Sequence, residues 1–154
     1  MSSQCVIPSP LGHLRIAADE GGLTAVDRTD LPLSPPDMPL LAEAAGQLRA
    51  YFDGALTDFD LPLHMTGTAF QMKCWHALTQ IPYGETISYG EQAKRIGKPK
   101  ATRAVGGANH RNPICIIVPC HRVIGASGAL TGYGEGLDMK AWLLAHEQEV
   151  IHRK

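Results

Sequence analysis

The chain has 154 residues and a formal charge of −1, room for one domain or two small ones with a real core. No apolar run is as long as a membrane span, and Met1-Ser2-Ser3-Gln4-Cys5 lacks a basic stretch leading into an apolar one, so a cytoplasmic protein without membrane contact is expected. The small net charge hides a division: residues 1–65 sum to −6 and residues 66–154 to +5, and segment 94–111 holds Lys94, Arg95, Lys98, Lys100, Arg103 and Arg111 with no acid. Such a cluster attracts a polyanion, although a solvated helix face is the plainer reading of any charge run.

In chain order, Leu14-Arg15-Ile16, the turn cluster Asp19-Glu20-Gly21-Gly22 and Leu23-Thr24-Ala25-Val26 predict a β-hairpin. Four prolines across 28–39 predict a surface connection. Leu40, Leu41, Ala44, Ala45, Leu48, Tyr51 and Phe52 recur at helical spacing, with Gly54 just beyond. A helix covering a small sheet is the simplest arrangement. The polar stretch 55–69 places a boundary near residue 65, giving domains 1–65 and 66–154.

The second half reads as mostly helical. Phe70, Cys74, Trp75 and Leu78 form a stripe that Ile81-Pro82-Tyr83-Gly84 stops. Ser88 is placed to cap a short helix over 89–96, Gly97-Lys98-Pro99-Lys100 breaks it, and a second helix fits 101–108. Two short helices with a tight turn, the second basic, form the pattern of a helix-turn-helix, a weak signal alone. A last helix starts at Leu137 and carries Lys140, His146 and Glu147.

The chemistry concentrates at Ile116-Ile117-Val118-Pro119-Cys120-His121-Arg122-Val123. Proline ends a strand-like run sharply, so Cys120 is expected at a bend, presented rather than packed. His121 and Arg122 beside it are expected to favour the thiolate. The competing reading is a small buried hydrophobe. Cys5, Cys74, Cys115 and Cys120 form no CxxC pair, so neither a zinc site nor a redox pair is indicated, and no metal or cofactor is expected.

Taken together, these motifs resemble the O6-alkylguanine-DNA alkyltransferase family, the methylated-DNA–protein-cysteine methyltransferases. The resemblance rests on Phe70-Gln71 with Trp75, Ile81-Pro82 with Gly84, Ser88-Tyr89, Arg103-Ala104-Val105-Gly106-Gly107-Ala108-Asn109, Asn112-Pro113, Pro119-Cys120-His121-Arg122-Val123, Thr131-Gly132-Tyr133 and Trp142-Leu143-Leu144-Ala145-His146-Glu147. It covers nearly all of 70–147, and more loosely Ser9-Pro10-Leu11-Gly12 and Tyr51-Phe52. It implies an α+β protein: a small ribonuclease H-like sheet-and-helix domain, then a mostly helical domain with a helix-turn-helix.

The resemblance also implies roles. Cys120 would accept the alkyl group, with His121 as its base through a water and Glu147 orienting the histidine. Asn112 would support the turn, Lys140 would order the Cys120 loop, and Tyr133 with the Gly134 N–H would meet the guanine O6. The Cys120 and Val123 carbonyls would read the guanine amino group, Tyr89 would press on the phosphate of the flipped nucleotide, and Arg103 would fill the gap in the duplex. Lys98, Lys100, Ala101, Thr102, Gly106, Asn109 and Arg111 would complete the DNA-facing set. The implied partner is double-stranded alkylated DNA, bound in the minor groove by a monomer that acts once, with O4-alkylthymine an open second substrate. Base extrusion follows from a target atom inside a stacked pair. Three positions depart from the family pattern: Gln92 for an aliphatic residue, implying a weaker core or a side-chain hydrogen bond, Cys74 for another aliphatic residue, and Glu135 in a loop that is often small.

Two other classes remain for comparison. A cysteine hydrolase shares the Cys–His–carboxylate set, but adjacent Cys120 and His121 diverge and no oxyanion loop is evident. A damage-binding module without chemistry would lack the cysteine, which is present here.

Overall fold

The computed structural model describes residues 3–130 and 133–153, so Thr131 and Gly132 of the glycine-bearing loop lie outside the described residues. The chain divides into two compact units, residues 1–65 and 66–154.

In the first unit β1 (Ser3–Ile7), β2 (Leu14–Asp19) and β3 (Gly22–Arg28) form an antiparallel sheet in that order. The expected hairpin is β2–β3. β1 is an additional strand, whose alternation was too short to stand out. Arg15 and Asp27 are register partners and join through two hydrogen bonds, 3.1 and 2.7 Å. The proline-rich connection is tied to β1 by reciprocal Val6 and Ser34 backbone bonds of 3.1 Å. Helix α1 (Pro39–Phe52) buries Leu41, Ala44, Ala45, Leu48 and Tyr51 of the stripe predicted from spacing, while Leu40 and Phe52 stay half-buried; it packs on β2 and β3, whose Leu14, Ile16 and Val26 are buried.

The second unit opens with α2 (Ala69–Leu78), started by a capping box: the Thr68 hydroxyl accepts from the Gln71 N–H, and the Gln71 side chain accepts from the Thr68 N–H. Two residues of strand, β4 (Ile87–Ser88), lead into α3 (Tyr89–Arg95), where the Ser88 hydroxyl accepts from Glu91 N–H, the cap expected of it. α4 is Thr102–His110. Cys74, Ala93, Val105 and Ala108, one or two from each helix, make the shared core, with Phe70, Tyr89 and Ile96 at its edge. This is the helix-turn-helix. A 3-10 turn (Cys120–Arg122) leads into β5 (Val123–Ile124), which pairs in parallel with β4 and so ties the Cys120 turn to the start of α3. α5 (Leu137–Ile151) closes the unit. No described helix is long and apolar enough to cross a membrane.

Gln92 settles its own departure. It is fully buried, and its amide exchanges hydrogen bonds of 3.0 and 2.7 Å with Asn109 on α4 and donates to the Cys74 carbonyl at 3.1 Å. One polar knot joins α2, α3 and α4. Gln92→Leu should therefore destabilise the unit by about 1–3 kcal/mol, because it orphans the Asn109 amide. In chemical denaturation the pair Gln92→Leu/Asn109→Leu should cost clearly less than the sum of the single changes. Simple additivity would mean that the knot is not cooperative.

Candidate active site

The apolar run before Cys120 is not a strand. Residues 114–120 coil: the Ile117 N–H donates to the Cys115 carbonyl at 2.8 Å, Val118 to Ile114 at 3.0 Å and Cys120 to Val118 at 2.8 Å. Ile116 takes a φ of 72°, an outlier for a β-branched residue. Asn112 holds the coil, donating from Nδ2 to the Val118 carbonyl at 2.8 Å while its Oδ1 accepts from the Ile114 N–H at 3.0 Å. Pro119 still ends the run, but Cys120 is packed, not presented, with 7% of its surface exposed. It lines a cavity of about 150 Å3 with Asn109, His110, Asn112, Cys115, Tyr133, Gly134 and Glu135.

Burial pushes the Cys120 thiol up to about 11, against the lowering pull of Asn112, the Lys140 charge and its own backbone; Glu135 pushes the same way as burial. The expectation of a resting thiolate is thereby corrected. Its reason also fails, because Arg122 turns to Glu147: its Nε donates to Oε1 at 2.9 Å and its Nη2 to Oε2 at 3.0 Å.

Glu147 is the hub. Besides Arg122 it accepts from His121 Nε2 at 2.7 Å and from the Gly84 N–H at 3.0 Å. Burial alone would raise its carboxyl, but hydrogen bonds and charge from His121 and Arg122 hold it well below the usual range. Burial, with the charges of Arg122 and Lys140, also lowers His121 against the raising effect of Glu147. A neutral imidazole donates from Nε2–H to Glu147 and keeps its lone pair on Nδ1. That Nδ1 is buried with no hydrogen-bond partner among the described residues. The arrangement can draw a proton from a nearby thiol while Glu147 steadies the imidazolium formed.

Lys140 is buried and donates to the Val123 carbonyl at 2.6 Å and to the Tyr89 hydroxyl at 3.4 Å, its ammonium 5.6 Å from the centre of the Tyr89 ring. Burial lowers it to about 8, against the raising effect of Cys120. The Val123 carbonyl thus already has one donor, and a carbonyl accepts two. Gly134 approaches the His110 carbonyl so closely that a Cβ would stand 2.8 Å from the oxygen, which restricts the position to glycine.

Of the residues expected to face DNA, Lys98, Lys100, Thr102, Arg103 and Arg111 are exposed, and Ala101 and Gly106 half-buried. Gly106 lies beside the Tyr89 ring, which brings the two expected contacts together. Asn109 corrects its expectation: it is 3% exposed and committed to Gln92.

From the sequence Arg122 is expected only to favour the thiolate, although a cation flanked by His121 and Val123 in an apolar run needs a buried acid as partner. Its Nη1 donates to the Ile81 carbonyl at 2.7 Å and its guanidinium lies 5.4 Å from the Tyr83 ring centre. Ile81-Pro82-Tyr83-Gly84, expected only to stop a helix, is therefore a clamp on Arg122 and Glu147. Gly84 takes a φ of 79° there, and its carbonyl accepts from Gln148 at 2.6 Å. Cys115 was likewise not expected in the pocket.

The family described as 6-O-methylguanine DNA methyltransferase, DNA binding domain, matches residues 69–149, and its ribonuclease-like domain matches residues 5–65. A methylated-DNA–protein-cysteine methyltransferase of Methanosarcina acetivorans is 53% identical over 149 residues, covering 92% of this chain and 96% of that one. One from Mycobacterium tuberculosis is 52% identical over 148 residues, covering 92% and 90%. The crystal structure of Mycobacterium tuberculosis OGT in complex with DNA superposes with a TM-score of 0.85 at 52% identity, covering 94% of this chain and 92% of that one.

Proposed function

Because this chain belongs to the methylated-DNA–protein-cysteine methyltransferase family, we propose that it repairs DNA by moving the alkyl group of O6-alkylguanine onto Cys120 Sγ. It is an alkyltransferase of DNA repair and binds DNA. The observation that carries the residue assignment is the buried His121–Glu147 pair, 2.7 Å, whose histidine follows the pocket-lining Cys120 in sequence.

His121 Nδ1 takes the Cys120 proton through a water. The sulfur attacks the alkyl carbon in line, the S–C bond forms as the C–O bond breaks, and the electron pair returns to the guanine oxygen. The Tyr133 hydroxyl and Gly134 N–H stabilise that oxygen as charge builds on it. The product thioether is a poor target for water, so each chain acts once. The base enters the pocket by extrusion from the duplex, α4 faces the minor groove, and one chain suffices. The test is intact mass after incubation with O6-methylguanine duplex: one methyl group per chain, on the peptide carrying Cys120. A methyl on Cys5, Cys74 or Cys115 would sink the assignment. O4-methylthymine duplex in the same assay decides the second substrate.

Arg103, exposed on α4, fills the space that the extruded base leaves. Arg103→Ala should slow transfer from duplex on the order of tenfold to a hundredfold, because the extruded state loses its replacement stacking. Free O6-benzylguanine needs no extrusion and should react as before. Equal losses on both substrates would point to a damaged pocket, and a uniform loss of DNA affinity with a salt slope smaller by about one unit would make Arg103 a phosphate contact.

A further inference from the structure

Alkyl transfer needs one thiol, and the pocket has two. Cys115 and Cys120 both line the cavity of about 150 Å3, a space of roughly five water volumes. Extended, five residues of chain would hold them roughly 17 Å apart. The coil prevents that: the left-handed Ile116 and the turn bonds at Ile117, Val118 and Cys120 double the segment back, and Asn112 pins it. The other two cysteines are elsewhere: Cys74 lies in the helix core and Cys5 on β1, both fully buried.

We propose that Cys115 is a resolving thiol for Cys120: under peroxide the two close a disulfide across the alkyl pocket, which blocks repair reversibly. In the first step His121 Nδ1 takes the Cys120 proton, the sulfur attacks one oxygen of hydrogen peroxide as the O–O bond breaks, and the hydroxide released recovers that proton to leave as water, with a sulfenic acid on Cys120. In the second, the Cys115 sulfur attacks the Cys120 sulfur, the S–S bond forms, the S–O bond breaks, and a second water leaves with the Cys115 proton. The bond needs Cα atoms within about 7 Å, a demand the doubled-back coil is suited to meet. Without a resolving thiol, the sulfenic acid advances to sulfinic acid, which common reductants do not reverse. The pairing stands apart from the alkyl-transfer reading; only its effect on repair rests on that reading.

The experiment treats the reduced full-length chain with hydrogen peroxide, blocks remaining thiols and digests with trypsin. Both cysteines fall on the peptide Asn112–Arg122. That peptide should lose two hydrogens, resist the blocking reagent and revert with dithiothreitol, and methyl uptake should vanish and return in step. In Cys115→Ser, each sample measured against its own untreated control, Cys120 should become sulfinic acid and recoverable uptake should fall about tenfold below wild type. Wild-type peptide carrying sulfinic Cys120 beside an intact Cys115 thiol overturns the proposal, as does equal recovery in Cys115→Ser. Failure of untreated protein to take up methyl would count against the repair reading alone, because the disulfide is read by mass.

Discussion

Cys120→Ala should take up no methyl from O6-methylguanine duplex, where the wild-type chain should take up one, and should still bind the duplex. The fold tolerates the change, since a buried cysteine behaves as a small hydrophobe. The pH dependence of the wild-type rate then identifies the base. A thiol held at about 11 by burial is almost wholly protonated at neutral pH. If solvent hydroxide removed its proton, the rate would rise tenfold per unit across about pH 7 to 9. With neutral His121 as the base, the rate is flat over that window and falls only in acid, below the ordinary histidine value of 6.5, because burial lowers this imidazole. A tenfold-per-unit climb would remove His121 from the role. Alkaline unfolding is a poorer probe. The raised Cys120 value favours the folded state below 9.0, and that contribution is lost as pH rises through about 11. The lowered Lys140 value acts in the opposite sense: its contribution is present above 10.5 and lost as pH falls through about 8.

What the sequence made legible was periodic or local. The α1 stripe, the Ser88 cap, the paired short helices and the place of Cys120 after Pro119 could each be read from a handful of neighbours. The resemblance extended this to Glu147, 26 residues from its histidine partner. Three features resisted. The 114–120 coil looks like a strand because Ile116, Ile117 and Val118 have strand composition, whereas the fold imposes φ 72° at Ile116 and Asn112 secures it. The β4–β5 pair is two residues long and parallel, too short for any alternation to show. The thiol's protonation depends on enclosure, which no local count of charges conveys: Arg122 adjoins Cys120 in sequence yet gives its charge to Glu147.

Glu147→Gln should cost both stability and rate, and for separable reasons. The carboxylate accepts four hydrogen bonds: Oε1 from Gly84 N–H and Arg122 Nε, and Oε2 from His121 Nε2 and Arg122 Nη2. Glutamine replaces one acceptor by a donor, so either face of the hub meets donor against donor, and buried Arg122 loses its counter-charge. Removing one partner of a buried pair costs about 3–5 kcal/mol, a fall in Tm of more than about 10 °C for a unit this size. The rate falls further wherever the amide NH2 faces His121. The imidazole must then accept at Nε2, its proton moves to Nδ1, and the nitrogen that should take the thiol proton no longer can. A loss on the order of a thousandfold or more is expected for a histidine held in the wrong tautomer. Arg122→Met separates the two effects. It too leaves a buried charge unpaired and lowers stability, but the carboxylate remains to hold Nε2–H, so transfer persists. Its acid limb should move to higher pH, because the Arg122 charge that helps keep His121 neutral is gone. Combining Glu147→Gln with Arg122→Met leaves neither charge stranded, so thermal stability should recover in part while transfer stays slow. If transfer instead recovers along with Tm, the contribution of Glu147 is to folding, and His121 needs no orienting carboxylate.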